Sequence, residues 1–183
     1  MKKSIFLTVA FLLMSVVLSA QTPVYLTKAY KPVESEYYDV YSSHEIQGGD
    51  TWNNCFVLNV INNYCGRAVF KLGGKYETIS FIMGPDKGHG KCDPNIVQIH
   101  ADGKRIFEHV VRDSDLAEHF TLNISGVDKL EFSLFRPQCE VAFCEVALWT
   151  KGQTPHDLRG KHDPEVKSRM LFRDIVPYRI KIG

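Results

Sequence analysis

The chain has 183 residues, 44% hydrophobic and 23% charged, with 22 basic and 21 acidic side chains. That length gives one domain with a sizeable core and little room for a second. The near-even charge balance excludes a strongly basic surface of the kind that binds nucleic acid or an anionic membrane electrostatically.

The first residues carry Lys2 and Lys3, an uncharged apolar run from Ile5 to Leu18, and the small pair Ser19-Ala20 before Gln21. This pattern reads as a signal peptide over residues 1–20, cut after Ala20, and predicts a secreted or periplasmic protein. A membrane span takes about 20 apolar residues, so no membrane insertion is expected. Without Lys2 and Lys3 the chain keeps 20 basic and 21 acidic residues. Five cysteines follow, Cys55, Cys65, Cys92, Cys139 and Cys144, and export permits their oxidation. The odd count leaves one unpaired within the chain, and the lack of a C-x-x-C spacing argues against zinc. Cys55 and Cys144 lie in apolar strand patterns and read as buried thiols.

Residues 21–36, with Pro23 and Pro32 and no clear period, read as a tether. A sandwich domain is expected over 37–150. Its strands begin with Tyr37 to Tyr41 and Phe56 to Ile61, split by a turn at Ile46 to Asp50. Ala68 to Leu72 and Thr78 to Met83 read as a hairpin over Gly73-Gly74-Lys75-Tyr76. A loop with three glycines and two prolines runs from Gly84 to Asn95. Ile96 to His100 and Arg105 to Val111 flank Asp102-Gly103, a two-residue turn that asks for positive φ at both positions. Phe120 to Ile124 and Leu130 to Phe135 alternate apolar and polar residues, and Val141 to Trp149 closes the domain. About nine short strands at near-even spacing predict an all-β, antiparallel sandwich or jelly roll. Residues 151–183 read as a polar linker, holding His156-Asp157 and His162-Asp163, and a C-terminal extension that docks as an extra strand.

Simple antiparallel reversals sort the connections. Loops 62–66, 84–95, 112–119 and 136–142 gather at one end; turns 73–76, 101–104 and 125–129 gather at the other. Binding residues favour irregular loops held by a rigid scaffold. A sugar site needs an aromatic face for the apolar side of the ring and polar groups for the hydroxyls. On the long-loop rim, Asn62, Asn63, Tyr64, Asp86, His89, Arg136 and Gln138 fit that description. Trp52 with Asn53 is a secondary candidate, against the plain reading of a Trp packed on the core. Cys92 with Cys139 is the pair preferred for bridging neighbouring loops, with free thiols as the alternative. Asp86, Asp93 and Asn95 read first as a solvated loop and second as oxygen donors for a structural calcium; no other cofactor or metal is expected. The chain has no nucleophile elbow, no zinc-protease motif and no phosphate-binding glycine loop, so it is not expected to be an enzyme.

Residues 66–149 resemble the novel putative carbohydrate-binding module family (NPCBM). The resemblance rests on Gly66 to Tyr76, with its Leu72-Gly73-Gly74-Lys75-Tyr76 turn, on Ile82-Met83-Gly84, and on Asp102-Gly103-Lys104 with Ile106-Phe107. Leu122 to Leu130 and Phe143 to Leu148 continue it in order, and Tyr41 to Leu58 matches more weakly. Glu140-Val141-Ala142-Phe143 stands where family members often carry His-Ala-Asp-Trp. The resemblance implies a galactose-binding-like jelly roll that binds a glycan, with galactose-type sugars possible ligands. A non-catalytic glycan-binding module is therefore the expected function. The alternative is an assembly module that contacts a surface protein, using the sandwich and the basic tail with Arg169, Arg173, Arg179 and Lys181.

Overall fold

The computed structural model describes residues 22–155, apart from 48, 50, 63, 88–93 and 136–138. The expected signal peptide and the extension beyond 155 lie outside the described residues. Two antiparallel sheets face each other. The larger has the order β11 (Glu118–Asn123), β8 (Thr78–Pro85), β13 (Val141–Trp149), β4 (Thr51–Leu58) and β3 (Tyr38–Glu45), with β1 (Val24–Tyr25) also paired to β13. The smaller has the order β10 (Lys104–Val111), β9 (Asn95–Ala101), β12 (Lys129–Leu134), β7 (Arg67–Lys71) and β2 (Glu34–Glu36). A two-stranded hairpin of β5 (Val60–Ile61) and β6 (Tyr64–Cys65) stands apart. The antiparallel sandwich expected from the strand pattern is the fold observed.

Alternation along the strands explains the core. Phe56, Phe81 and Phe143 from the larger sheet meet Phe70 and Phe132 from the smaller, and all five are fully buried. Phe56 stacks on Phe143 at 4.8 Å between ring centroids and meets Phe132 edge-on at 5.2 Å. Burying each such side chain stabilises the fold by about 1.5–3 kcal/mol, and offset or edge-on ring pairs add to that. Tyr38 packs at the margin of this cluster against Phe56 and Phe70, and burial pushes its phenol up to about 12.

Three local expectations change. Residues 73–76 do not close a hairpin, because β7 belongs to the smaller sheet and β8 to the larger. Gly73 and Gly74 both have positive φ and carry the chain across the sandwich instead. Nor are residues 22–36 a tether. β1 pairs with β13, β2 pairs with β7, and Leu26 of the single turn α1 (Leu26–Ala29) is fully buried. Third, Cys55 and Cys144 are not inert thiols: they form a disulfide between β4 and β13, with Cα atoms 4.0 Å apart. The two strands are in register at Phe143 and Phe56, which brings the next pair, Cys144 and Cys55, face to face.

β13 is buried along its whole length because both its faces are covered. Val141, Phe143, Val146 and Leu148 join the inter-sheet core, while Ala142, Cys144, Ala147 and Trp149 join a second cluster on the outer face. The phase between these two series slips by one residue at Glu145, which has φ +47° and sits at a register shift against β8. An extra residue of this kind is a β-bulge. β4 has its own slip at Asn54, φ +53°, so that Trp52 and Cys55 point to the same outer face. The two irregularities hold each other. The buried Glu145 carboxylate accepts from the Asn54 side-chain amide at 3.2 Å and from the Asn53 backbone N–H at 3.3 Å.

Past this bend the β3–β4 hairpin folds over the outer face of the larger sheet. Ile46 and Trp52 bury against Ile82, Ala142, Ala147 and Trp149. The hairpin tip reaches β8: Ile46 bridges Asp86, and the Gln47 N–H donates to the Pro85 carbonyl at 3.0 Å. Gly84 makes room for it, since a Cβ there would lie 2.7 Å from Ile46 Cγ2. Beneath, Trp149 Nε1 donates to Ser80 Oγ at 2.8 Å.

The two ends of the sandwich sort as the strand count predicts. At the short-turn end, Asp102 and Gly103 have φ +49° and +81°. The Asp102 carboxylate accepts from the Asp128 and Lys129 N–H groups at 3.2 and 2.8 Å, tying two turns together. At the other end, Asp86 N–H donates to the Glu140 carbonyl at 3.0 Å and Phe135 N–H to the Ile96 carbonyl at 2.7 Å.

Candidate functional site

The long-loop rim is built around close backbone packing. Gly66 sits where the entry to β3, the exit from β4 and the entry to β7 converge. A Cβ there would lie 2.7 Å from the Tyr37 carbonyl oxygen and 2.8 Å from the Asn59 nitrogen. The Asn59 N–H donates to that same Tyr37 carbonyl at 2.8 Å. Asn62, φ +51°, turns β5 into β6, a conformation that Asn tolerates better than most residues. The turn lifts Tyr64 out of the sandwich. Tyr64 is 63% exposed, and its ring stacks on Tyr37 at 6.1 Å and 22°. Cys65, the next residue, is a free thiol raised by burial.

Asp86 lies in a second group on the same rim. Its carboxylate bonds His44 Nε2 and accepts the Lys87 N–H at 2.9 Å, while the Lys87 ammonium pairs with Glu45. The His44 ring packs on Tyr41, with centroids 4.4 Å apart and planes at 31°. Tyr41 is 38% exposed. Partial burial raises its phenol, and the nearby carboxylates of Asp39, Asp86 and Glu140 raise it further. Asp39 in turn accepts the Asn59 side-chain amide at 2.6 Å.

Of the residues expected to bind ligand, Asn62, Tyr64 and Asp86 stand on this rim. Asn63, His89, Arg136 and Gln138 lie outside the described residues. Trp52 and Asn53 do not form a sugar platform: Trp52 is 1% exposed under the folded hairpin, and Asn53 belongs to the bulge bonded to Glu145. The plain reading of Trp52 as a packed residue is the one observed. Asn95 is fully buried, and its amide donates to the Cys139 carbonyl at 2.6 Å. It braces two loops and offers no open face to calcium; Asp93 lies outside the described residues. Cys139 is disulfide-bonded, and its expected partner Cys92 lies outside the described residues. Among the described residues, no group of three or more His, Cys, Asp and Glu side chains is arranged to hold a metal, and no helix is long and apolar enough to cross a membrane.

Tyr37, Tyr41, His44 and Asn59 were not expected at the site. The alternation of Asp39 and Tyr41 along β3 is the signal that marks Tyr41, because residues two apart share a face of a strand; Tyr37 precedes the strand with φ +47°. The folding of the hairpin that brings His44 to Asp86 has no local signature.

No family model matches the chain, and no curated protein matches it. Solved structures do. A carbohydrate-binding module of family 51 (CBM51) from the Clostridium perfringens GH95 protein, in complex with methyl-galactose, is 14% identical with a TM-score of 0.55, covering 69% of this chain and 99% of that one. The tandem CBM51 modules of a Streptococcus pneumoniae family 98 glycoside hydrolase are 13% identical with a TM-score of 0.56, covering 76% of this chain and 50% of that one. The M60 catalytic domain of C. perfringens ZmpB with its two CBM51 domains is 17% identical with a TM-score of 0.57, covering 71% of this chain and 15% of that one. This chain thus spans a small part of that multidomain protein. At these identities the likeness is one of fold: the sandwich is that of CBM51-type carbohydrate-binding modules, the fold implied by the family resemblance.

Proposed function

We propose that this chain is an exported, non-catalytic glycan-binding module that takes its ligand on the long-loop rim. One observation carries the reading. On a sandwich of the CBM51 kind, Tyr64 stands 63% exposed at the rim with its ring steadied by Tyr37. An exposed ring costs hydration unless a partner covers it, and the apolar face of a sugar is a partner of the right shape. Asn62 and Asp86 stand on the same rim, and Asn63, His89, Arg136 and Gln138 belong to the same loops by sequence. A methyl-galactose complex of one structural neighbour makes galactose-type sugars the first class to try.

The test is a glycan array with the chain from Gln21 onward. Binding to defined glycans, weakened about tenfold by Tyr64→Ala with the circular dichroism unchanged, is the expected result. A folded protein that binds no glycan overturns the reading.

A further inference from the structure

Between the two aromatic groups of the rim runs a continuous line of polar contacts. Tyr37 and Tyr64 stack at one end, and the Tyr37 carbonyl accepts the Asn59 N–H. The Asn59 side chain bonds Asp39, and beyond Asp39 comes Tyr41, packed on His44. The line follows the edge strand β3, whose residues Asp39, Val40 and Tyr41 are all exposed although the strand pairs with β4. Three residues of strand separate Tyr38, the neighbour of Tyr37, from Tyr41, an advance of about 10 Å. That is more than one pyranose ring can cover.

We propose that this edge is one extended site, and that its ligand is an uncharged oligosaccharide lying from the Tyr64–Tyr37 platform to Tyr41. The proposal rests on the glycan-binding reading above and specifies it. Two rings at the ends cover sugar faces, while Asp39 and Asn59 between them exchange hydrogen bonds with hydroxyls. The charge around Tyr41 disfavours acidic sugars: Asp86 bonds the His44 ring that packs on it. Asp39, Asp86 and Glu140 lie close enough to raise its phenol. The ammonium of Lys87, the residue after Asp86, is engaged by Glu45. A uronate or sulfated sugar placed there would meet these carboxylates.

The experiment measures affinity for neutral hexose glycans of increasing length, galactose-containing ones first, with polygalacturonate as the acidic control. Wild type, Tyr64→Ala, Tyr41→Ala and the double variant are compared, each checked for native circular dichroism. Affinity should rise with length from monosaccharide to tetrasaccharide. Tyr41→Ala should remove the gain with length, about tenfold, whereas Tyr64→Ala should weaken glycans of every length. Polygalacturonate should bind at least about tenfold more weakly than the neutral chains. Equal affinity at all lengths, indifference to Tyr41→Ala, or preference for polygalacturonate overturns the extended neutral site while leaving glycan binding at Tyr64 intact. Failure to bind any glycan overturns both.

Discussion

The two faces of the larger sheet are held by different chemistry. Inside, phenyl rings from both sheets interlock, with phenols at the margin. Outside, a disulfide, a hydrogen-bonded Trp149 and a buried Glu145 sit under a folded hairpin. The inner face follows from alternation alone and needs only residues of about the right size. The outer face depends on two out-of-phase residues, Asn54 and Glu145, meeting each other. One face is set by pattern; the other is set by particular pairs.

Substitutions separate the two. Phe56→Ala should have the largest effect, about 3–5 kcal/mol from lost burial and the remaining cavity. Urea unfolding should show a lowered midpoint with the slope unchanged. Replacing Cys55 and Cys144 together by Ala should cost about 2–5 kcal/mol, since the bond closes a long loop. Reducing agent should lower the stability of the wild type by at least that amount and that of the double variant by less, since the bond at Cys139 is present in both. If reduction has no effect, the outer face is held by packing alone and the contrast with the inner face weakens. Glu145→Leu should cost roughly 1.5–3 kcal/mol, because it strips the Asn53 N–H and the Asn54 amide of a charged acceptor. Its signature is local: amide exchange should rise at residues 51–54 before it rises in β8 or β9.

The strands of the inner core were legible because alternation is local and repeated. Asp102-Gly103 was legible because few dipeptides accept two positive φ values in succession, and the grouping of loops at two ends followed from counting reversals. What escaped was long-range. A Gly73-Gly74 turn looks the same whether the strands it joins share a sheet or cross between sheets. Cys55 and Cys144 are 89 residues apart, and nothing near either one reveals the register that makes them neighbours. Residues 22–36 lack periodicity because β1, α1 and β2 are too short to show one. At the rim, Tyr64 and Asp86 could be picked out as loop residues beside a scaffold. Tyr41 reads as ordinary strand and His44 falls between that strand and the turn, because their role depends on where the hairpin comes to rest.

Among the described residues the last strand to leave the ribosome, β13, is the one that fills the middle of the larger sheet, between β8 and β4. Until it emerges, neither strand has its central neighbour, and Cys55 has no Cys144 to meet. The larger sheet therefore cannot close from β11 to β3 until β13 has been made. A truncation that stops at residue 140 should yield a chain that stays protease-sensitive and does not form half a sandwich.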